Sequence, residues 1–317
     1  MVRGGGPSEP PPPPPPPRPL SRPLTLRTGA AAVPHPDKMR AGARGMTLSE
    51  GGHAGEDAYF VTTSPHGAVA LGVSDGVYMW KEKGIDAGLF SRALCAASAA
   101  ANARGVASPL RLLQAAYGAV MAAGVQGSAT CCVAVVDARD GLLRSANLGD
   151  SGYLLMTPKR GAVAGLPGGP GGAAQQRTPQ GWGEAVWQPG GVTYRSPQQE
   201  HEFGRPYQLG HHRASDRPED AMLHSARLAG GDVVVMGSDG LWDNLHDSEV
   251  AQTVQQGVDA RLSPAAIARA VAAEAYERSS QKRGSTPYSL AATDAHELVF
   301  CGGKRDDICV VVLLAEA

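Results

Sequence analysis

An α+β fold, with antiparallel sheets and helices packed outside them, is predicted by three features of the chain. Short Val-rich runs recur from one end to the other, helical stretches arrive in pairs between groups of them, and a tight turn signal, Arg139-Asp140-Gly141, joins two runs directly. Residues 1–23 stand outside this pattern. Glycines, a polyproline run from Pro10 to Pro17 and Arg-Pro repeats favour an extended polyproline II conformation that cannot close a core, so a disordered tail is expected there. Arg3, Arg18, Arg22 and Arg27 against the lone Glu9 are compatible with a targeting segment for chloroplast or mitochondrion. An extension without an address, leaving the chain in the cytoplasm, fits as well.

Residues 24–317 read as one domain. Strands are expected at Ala58–Thr62 and Ala68–Ser74, followed by a helix from about Asp86 to Ala103. A second helix, Pro109 to about Ala123, opens with Ser108 as N-cap and proline at its first position. Ala129–Asp137, Leu142–Leu148 and Gly152–Thr157 then read as a three-strand meander. From 158 to 191 the sequence collapses into Gly, Pro, Ala and Gln, a long flexible insertion with nothing periodic to bury. Structure resumes with Val192–Arg195, strand Asp232–Gly237, a helix near Asp247–Gln256, a stronger one from Ser263 to about Arg278, and a last strand at Ile308–Leu314.

The 317 residues carry a formal net charge of −1, which gives no support to a nucleic-acid partner, and 42% are hydrophobic but only 5% aromatic, so Val, Leu, Ala and Met must build the core. No apolar run approaches the ~20 residues that span a bilayer, so no membrane insertion is expected. Cys95, Cys131, Cys132, Cys301 and Cys309 lack metal-type spacing and read as small buried hydrophobes of a reducing compartment; adjacent Cys131 and Cys132 should face opposite sides of a strand.

Five acidic motifs carry the chemistry: Gly55-Glu56-Asp57, Ser74-Asp75-Gly76, Gly149-Asp150-Ser151, Ser238-Asp239-Gly240-Leu241-Trp242-Asp243 and Arg305-Asp306-Asp307. Taken singly, each has an ordinary explanation as a turn, and Gly149-Asp150-Ser151 could equally join two strands of a hairpin. Jointly they place carboxylates at the ends of Val-rich strands, rigidly held yet facing an open edge. Several of these converging make an oxygen-rich site for Mg²⁺ or Mn²⁺.

These residues, together with Pro34-His35-Pro36-Asp37-Lys38, Gly127-Ser128-Ala129-Thr130, Gln198-Gln199-Glu200-His201-Glu202-Phe203 and Gly302-Gly303-Lys304, follow a known order. From Thr25 onward the chain resembles the metal-dependent type 2C Ser/Thr protein phosphatases, in the branch of the T-cell-activation-type enzymes. The resemblance implies a four-layer α-β-β-α sandwich, two central antiparallel sheets flanked by helices, with two Mn²⁺ or Mg²⁺ ions at one end. It implies Asp57, Asp75 and Asp239 as the catalytic carboxylates. Asp75 would bridge the ions, the Gly76 carbonyl would ligate one, and Asp239 and Asp306 would hold the first, with Asp57 (and Glu56 through water) beside the second. Asp150 and Asp243 match positions that support a third, weaker ion in some members. The implied reaction is hydrolysis of phosphoserine and phosphothreonine in phosphorylated protein substrates, by in-line attack of a metal-bridging water without a covalent phospho-enzyme.

The chain departs from the family pattern at three places. An Arg that binds substrate phosphate in many members is absent before Glu56-Asp57, where Gly51-Gly52-His53-Ala54 stands; Lys38, Arg40 and Arg44 are the alternatives. Val77 stands where many members have His, and Tyr78-Met79 replace two glycines beside the bridging carboxylate. These departures motivate an alternative, a catalytically weak phosphoprotein-binding module, while the proline tail motivates a partner with an aromatic groove. The working unit is expected to be a monomer. His211-His212 read as solvated loop residues, and His201 as hydrogen-bonded within the fold.

Overall fold

A computed structural model describes residues 22–39, 46–49, 51–158, 176–178, 181–183 and 191–317. Residues 1–21 of the expected tail and most of the expected insertion at 158–191 lie outside the described residues. The chain order of the main strands is β1 (Thr25–Val33), β2 (His53–Ala54), β3 (Asp57–Thr63), β4 (Ala68–Asp75), β5 (Cys131–Asp137), β6 (Leu142–Leu148), β7 (Gly152–Met156), β8 (Val192–Arg195), β9 (Met222–Arg227), β10 (Val233–Gly237) and β11 (Ile308–Glu316). One sheet has the order β1-β11-β10-β7-β8 and the other β9-β6-β5-β4-β3-β2, with antiparallel pairing throughout.

Alternation along the strands makes the layers. In β11, Cys309, Val311 and Leu313 meet Leu71, Val73, Cys132 and Ala134 of the other sheet, while Ile308, Val310 and Val312 face outward. That outward face is covered by α4 (Asp247–Asp259) and α5 (Pro264–Ser279) through Val250, Val254, Ile267 and Val271; the short α3 (Asp239–Trp242) packs at its edge. On the opposite side α1 (Ala87–Ala103) and α2 (Pro109–Ala122) lay Phe90, Leu94, Leu112 and Leu113 on Phe60, Ala70, Val133 and Val135. The result is the four-layer α-β-β-α sandwich. Both long helical pairs are capped locally: the Asp86 carboxylate accepts from Gly88 N at 3.0 Å, and Ser263 Oγ accepts from Ala266 N at 3.2 Å.

Four expectations need correction. Gly152–Met156 is not the third strand of a meander: it pairs with β10 and β8 in the other sheet, so Gly149-Asp150-Ser151 carries the chain from sheet to sheet and is not a hairpin turn. The strand expected at Ala129–Asp137 is broken at Thr130, whose side chain is used at the site described below. Cys301 is exposed, whereas the other four cysteines are buried. β1, β9 and α6 (Pro287–His296) carry no clear apolar period in the sequence and were not expected.

At the β8–β9 end of the sandwich, Tyr153 reaches between the sheets. Its hydroxyl hydrogen-bonds Ser145 Oγ at 2.8 Å and His224 Nδ1 at 2.7 Å, and the His224 ring stacks on Tyr194 with centroids 3.7 Å apart. Burial pushes the His224 imidazole down to about 4. A lowered folded-state value means that folding favours the neutral ring. The contribution is complete above the unfolded value near 6.5 and is lost as pH falls toward 4. Urea unfolding should therefore show stability declining across that window by about 1–2 kcal/mol, discounted for the partial exposure of the ring. A His224→Phe variant should lack that part of the slope.

Candidate active site

Strand ends from both sheets bring the acidic motifs together. Asp57 opens β3 and Asp75 closes β4, directly opposite each other in register. From the other sheet, Asp239 follows β10 and Asp306-Asp307 lead into β11. A cavity of about 750 Å³ opens over this junction, lined by Asp75, Gly76, Asp150, Asp239, Asp243 and Asp306 among others; Asp57 is buried beneath its floor. All eight residues singled out from the sequence thus lie at one end of the sandwich.

Backbone contacts hold the carboxylates in place. Thr130 N donates to Asp75 O at 2.9 Å, Asp75 N donates to Thr130 Oγ1 at 3.3 Å, and that hydroxyl also meets Ser151 Oγ at 2.8 Å, tying Asp75 to the Asp150 turn. Ser238 is locked to β11 in both directions, donating from N to Cys309 O at 3.1 Å and accepting at Oγ from Cys309 N at 3.0 Å. The first turn of α3 sits so close to β11 that a Cβ on Gly240 would overlap the Asp307 carbonyl oxygen.

Asp307 is the member of the cluster that the sequence reading left without a role. Its buried carboxylate accepts from His35 N at 2.7 Å, Glu56 N at 2.8 Å and Lys38 Nζ at 2.5 Å, so it clamps the Pro34–Lys38 segment to the Glu56-Asp57 motif. Gly55, with φ +55°, lies where a side chain would run into that carboxylate. The available signal was the doubled aspartate: neighbours in extended chain point opposite ways, so Asp306 and Asp307 should take different partners.

Three ammonium groups meet the acidic end. Lys304 Nζ is 2.6 Å from Asp239, 2.7 Å from Asp243 and 3.2 Å from Asp306. Lys38 pairs with Glu56 and Asp307, and Lys81 pairs with Glu56. Among the described residues, no three His, Cys, Asp or Glu side chains close on a single ion point in this arrangement. Lys38 stands at the cavity wall; the other candidate phosphate partners, Arg40 and Arg44, lie outside the described residues. Tyr78 and Met79, 60% and 69% exposed, stand at the cavity mouth, with the Tyr78 ring under Lys81 at 4.7 Å.

The electrostatics follow from crowding. Burial, then the negative charges of Asp307 and Asp239, push Asp57 well above the usual carboxylate range; burial, then Asp239 and Asp57, do the same to Asp75. Burial with Asp239 raises Asp306 to about 6, and burial raises Asp243 to about 7 although Lys304 opposes it. Asp239 itself is held low: burial works against ionisation, but the adjacent Lys304 outweighs it. Burial likewise opposes ionisation of Glu56, and Lys38 and Lys81 bring it down to about 2.

The histidines divide. His201 behaves as expected, with Nε2 3.0 Å from Asp216 and its ring stacked on Tyr207 at 4.0 Å. His211 is not simply a solvated loop residue, because its ring packs on Trp80 at 4.7 Å and its Nδ1 meets the Gly127 backbone.

A sequence profile described as Protein phosphatase 2C matches residues 217–284. A Drosophila grimshawi protein described as "Protein phosphatase PTC7 homolog fig" is 31% identical over 276 residues, covering 83% of this chain and 80% of that protein. The chain belongs to the protein phosphatase 2C family. Another member, "Probable protein phosphatase 2C 55" of Arabidopsis thaliana, is 35% identical over 295 residues, covering 92% of this chain and 52% of the relative. The chain thus spans little more than half the length of that curated relative. The solved structure described as "X-ray structure of the photosystem II phosphatase PBCP" superposes with a TM-score of 0.69 at 28% identity, covering 92% of this chain and 99% of that one.

The residues present in this protein phosphatase 2C family chain fit a divalent-ion centre. Every candidate donor is an oxygen, suited to hard cations. Asp57 Oδ2, Asp150 Oδ1 and Asp239 Oδ1 are buried without a hydrogen-bond partner. Buried carboxylate oxygens left unpartnered are costly, and an ion among them removes that cost.

Proposed function

We propose that the chain is a metal-dependent phosphatase that hydrolyses phosphoserine and phosphothreonine in proteins. The observation that carries this reading is the convergence of unpartnered, buried carboxylate oxygens from both sheets beneath one open cavity. Asp57, Asp75, the Gly76 carbonyl, Asp239 and Asp306 would hold two Mn²⁺ or Mg²⁺ ions, with Glu56 acting through water and Asp150 and Asp243 beside a third, weaker position. When bound, such ions supply positive charge against a phosphate dianion and acidify water at the site.

The protein's own part is placement. Thr130 fixes Asp75 against the Asp150 turn, Ser238 fixes Asp239 to β11, and Asp307 orients Glu56. Lys38, at the cavity wall, supplies a cation toward the substrate phosphate. Its ammonium is held charged: burial works against it, but Asp307 and Glu56 outweigh that.

The test is Mn²⁺-dependent release of phosphate from a phosphothreonine peptide, with an EDTA control. Turnover that stops with EDTA and returns with Mn²⁺ is expected. Tight phosphopeptide binding without turnover would instead support the phosphoprotein-binding module, for which the exposed Tyr78-Met79 pair at the mouth is the structural motive.

A further inference from the structure

We propose that Lys304 is an internal competitor for divalent cations. Its ammonium neutralises Asp239, Asp243 and Asp306 when metal is scarce, and an ion enters that half of the cluster by displacing it. The inference rests on the metal-centre reading above and concerns what sets the occupancy of that centre.

Lys304 is aimed at the cluster by design of the backbone. Buried Asn244 grips its peptide on both sides, accepting from Lys304 N at 3.0 Å and donating to Lys304 O at 2.9 Å. Asn244 is itself anchored by donating to Gly240 O at 2.9 Å, in the same turn that carries Asp239. Residue 304 is therefore held in fixed relation to the carboxylates its side chain meets.

Donor counting shows what the ammonium leaves undone. The ammonium hydrogen-bonds Asp239 and Asp243 at 2.6 and 2.7 Å and ion-pairs with Asp306 at 3.2 Å. None of these contacts serves Asp150 Oδ1 or Asp239 Oδ1, which are unpartnered on residues only 8% and 7% exposed. A divalent ion accepts about six oxygens and carries twice the charge, so it can serve the oxygens the ammonium cannot reach. The displaced side chain has somewhere to go, because it is 32% exposed and borders the open cavity beside the Tyr288 ring, 5.7 Å away. No other lysine meets this trio among the described ion pairs, since Lys38 and Lys81 engage Glu56 and Asp307.

The experiment is calorimetric titration of Mn²⁺ into the full chain stripped with EDTA, comparing wild type, Lys304→Met and Lys304→Arg. Lys304→Met keeps an unbranched side chain without the charge. It should tighten the weakest Mn²⁺ step by about tenfold or more, or expose a step that wild type lacks, while Lys304→Arg should not. Equal or weaker Mn²⁺ binding by Lys304→Met would overturn the proposal. Removing a cation among buried carboxylates can unfold the stripped variant, so melting is measured with and without Mn²⁺. A lowered stripped melting temperature with a larger Mn²⁺ gain than wild type supports the proposal. A loss that Mn²⁺ does not recover overturns it. Absence of Mn²⁺ binding to all three proteins would sink the metal-centre reading itself, a result distinct from equal binding by all three.

Discussion

An Asp239→Asn variant is expected to lose about 10³-fold or more in Mn²⁺-dependent phosphate release while remaining folded. The side chain is nearly isosteric, and its neighbours Gly240 and Ser238 are held by β11, so packing is preserved. What changes is charge and donor type. Asp239 offers one oxygen to Lys304 at 2.6 Å and leaves the other buried and unpartnered at the junction of the two sheets. An amide can present only one oxygen, and its NH₂ faces either Lys304 or the carboxylates as a donor. Loss of one negative charge from a crowded acidic cluster also relieves repulsion on Asp57 and Asp75, both of which Asp239 pushes upward. The stripped variant should therefore melt no lower than the stripped wild type. Steady-state assays and circular-dichroism melts check both halves; turnover above a tenth of wild type would contradict the assignment of Asp239.

Gly240→Ala should lower stability by about 2–4 kcal/mol in urea unfolding, a large effect for one methyl group. Its Cβ would overlap the carbonyl oxygen of Asp307 and meet that residue's carbonyl carbon at 3.0 Å and Ile308 Cγ1 at 3.1 Å. The nearest obstacle is backbone and cannot rotate away, so either α3 or the start of β11 must shift. Both carry site carboxylates, so activity should fall along with stability. Gly118→Ala in α2 is the matched control, because nothing lies within 4 Å of the added methyl group. There the same substitution should be neutral or stabilising by about 0.5–1 kcal/mol.

What was readable in advance follows from how locally each feature is encoded. β4, β5, β10 and β11 are buried on both faces and therefore appear as continuous apolar runs. β1 carries Thr-Gly-Ala-Ala-Ala, too small to signal burial. β9 is an edge strand whose alternate residues, Leu223, Ser225 and Arg227, face solvent. α6 buries only Ser289 and Ala292 among its helical residues and so shows no apolar stripe. The crossing at Asp150 was invisible because a sheet-to-sheet connection and a hairpin use the same Gly-Asp-Ser chemistry. At the site, Asp57, Asp75, Asp239 and Asp306 were legible from their strand-end positions. Asp307 and Lys304 were not, because their roles depend on residues about 250 positions upstream in one case and on the Asn244 clamp in the other.

The position of β11 bears on how the molecule is made. Of the five strands in its sheet β11 is the latest in chain order, yet it lies between β1 and β10, pairing Thr25 with Glu316 and Val233 with Leu314, so this interior position is filled only after both neighbours have been made. Asp306 and Asp307 arrive with it. A growing chain that has made Asp57, Asp75 and Asp239 still lacks both β11 and the clamp on Glu56, and long-range pairing of this kind is slow to close. Cation uptake at this centre would then report that β11 has docked, and a chain lacking that strand would have no competent centre to load.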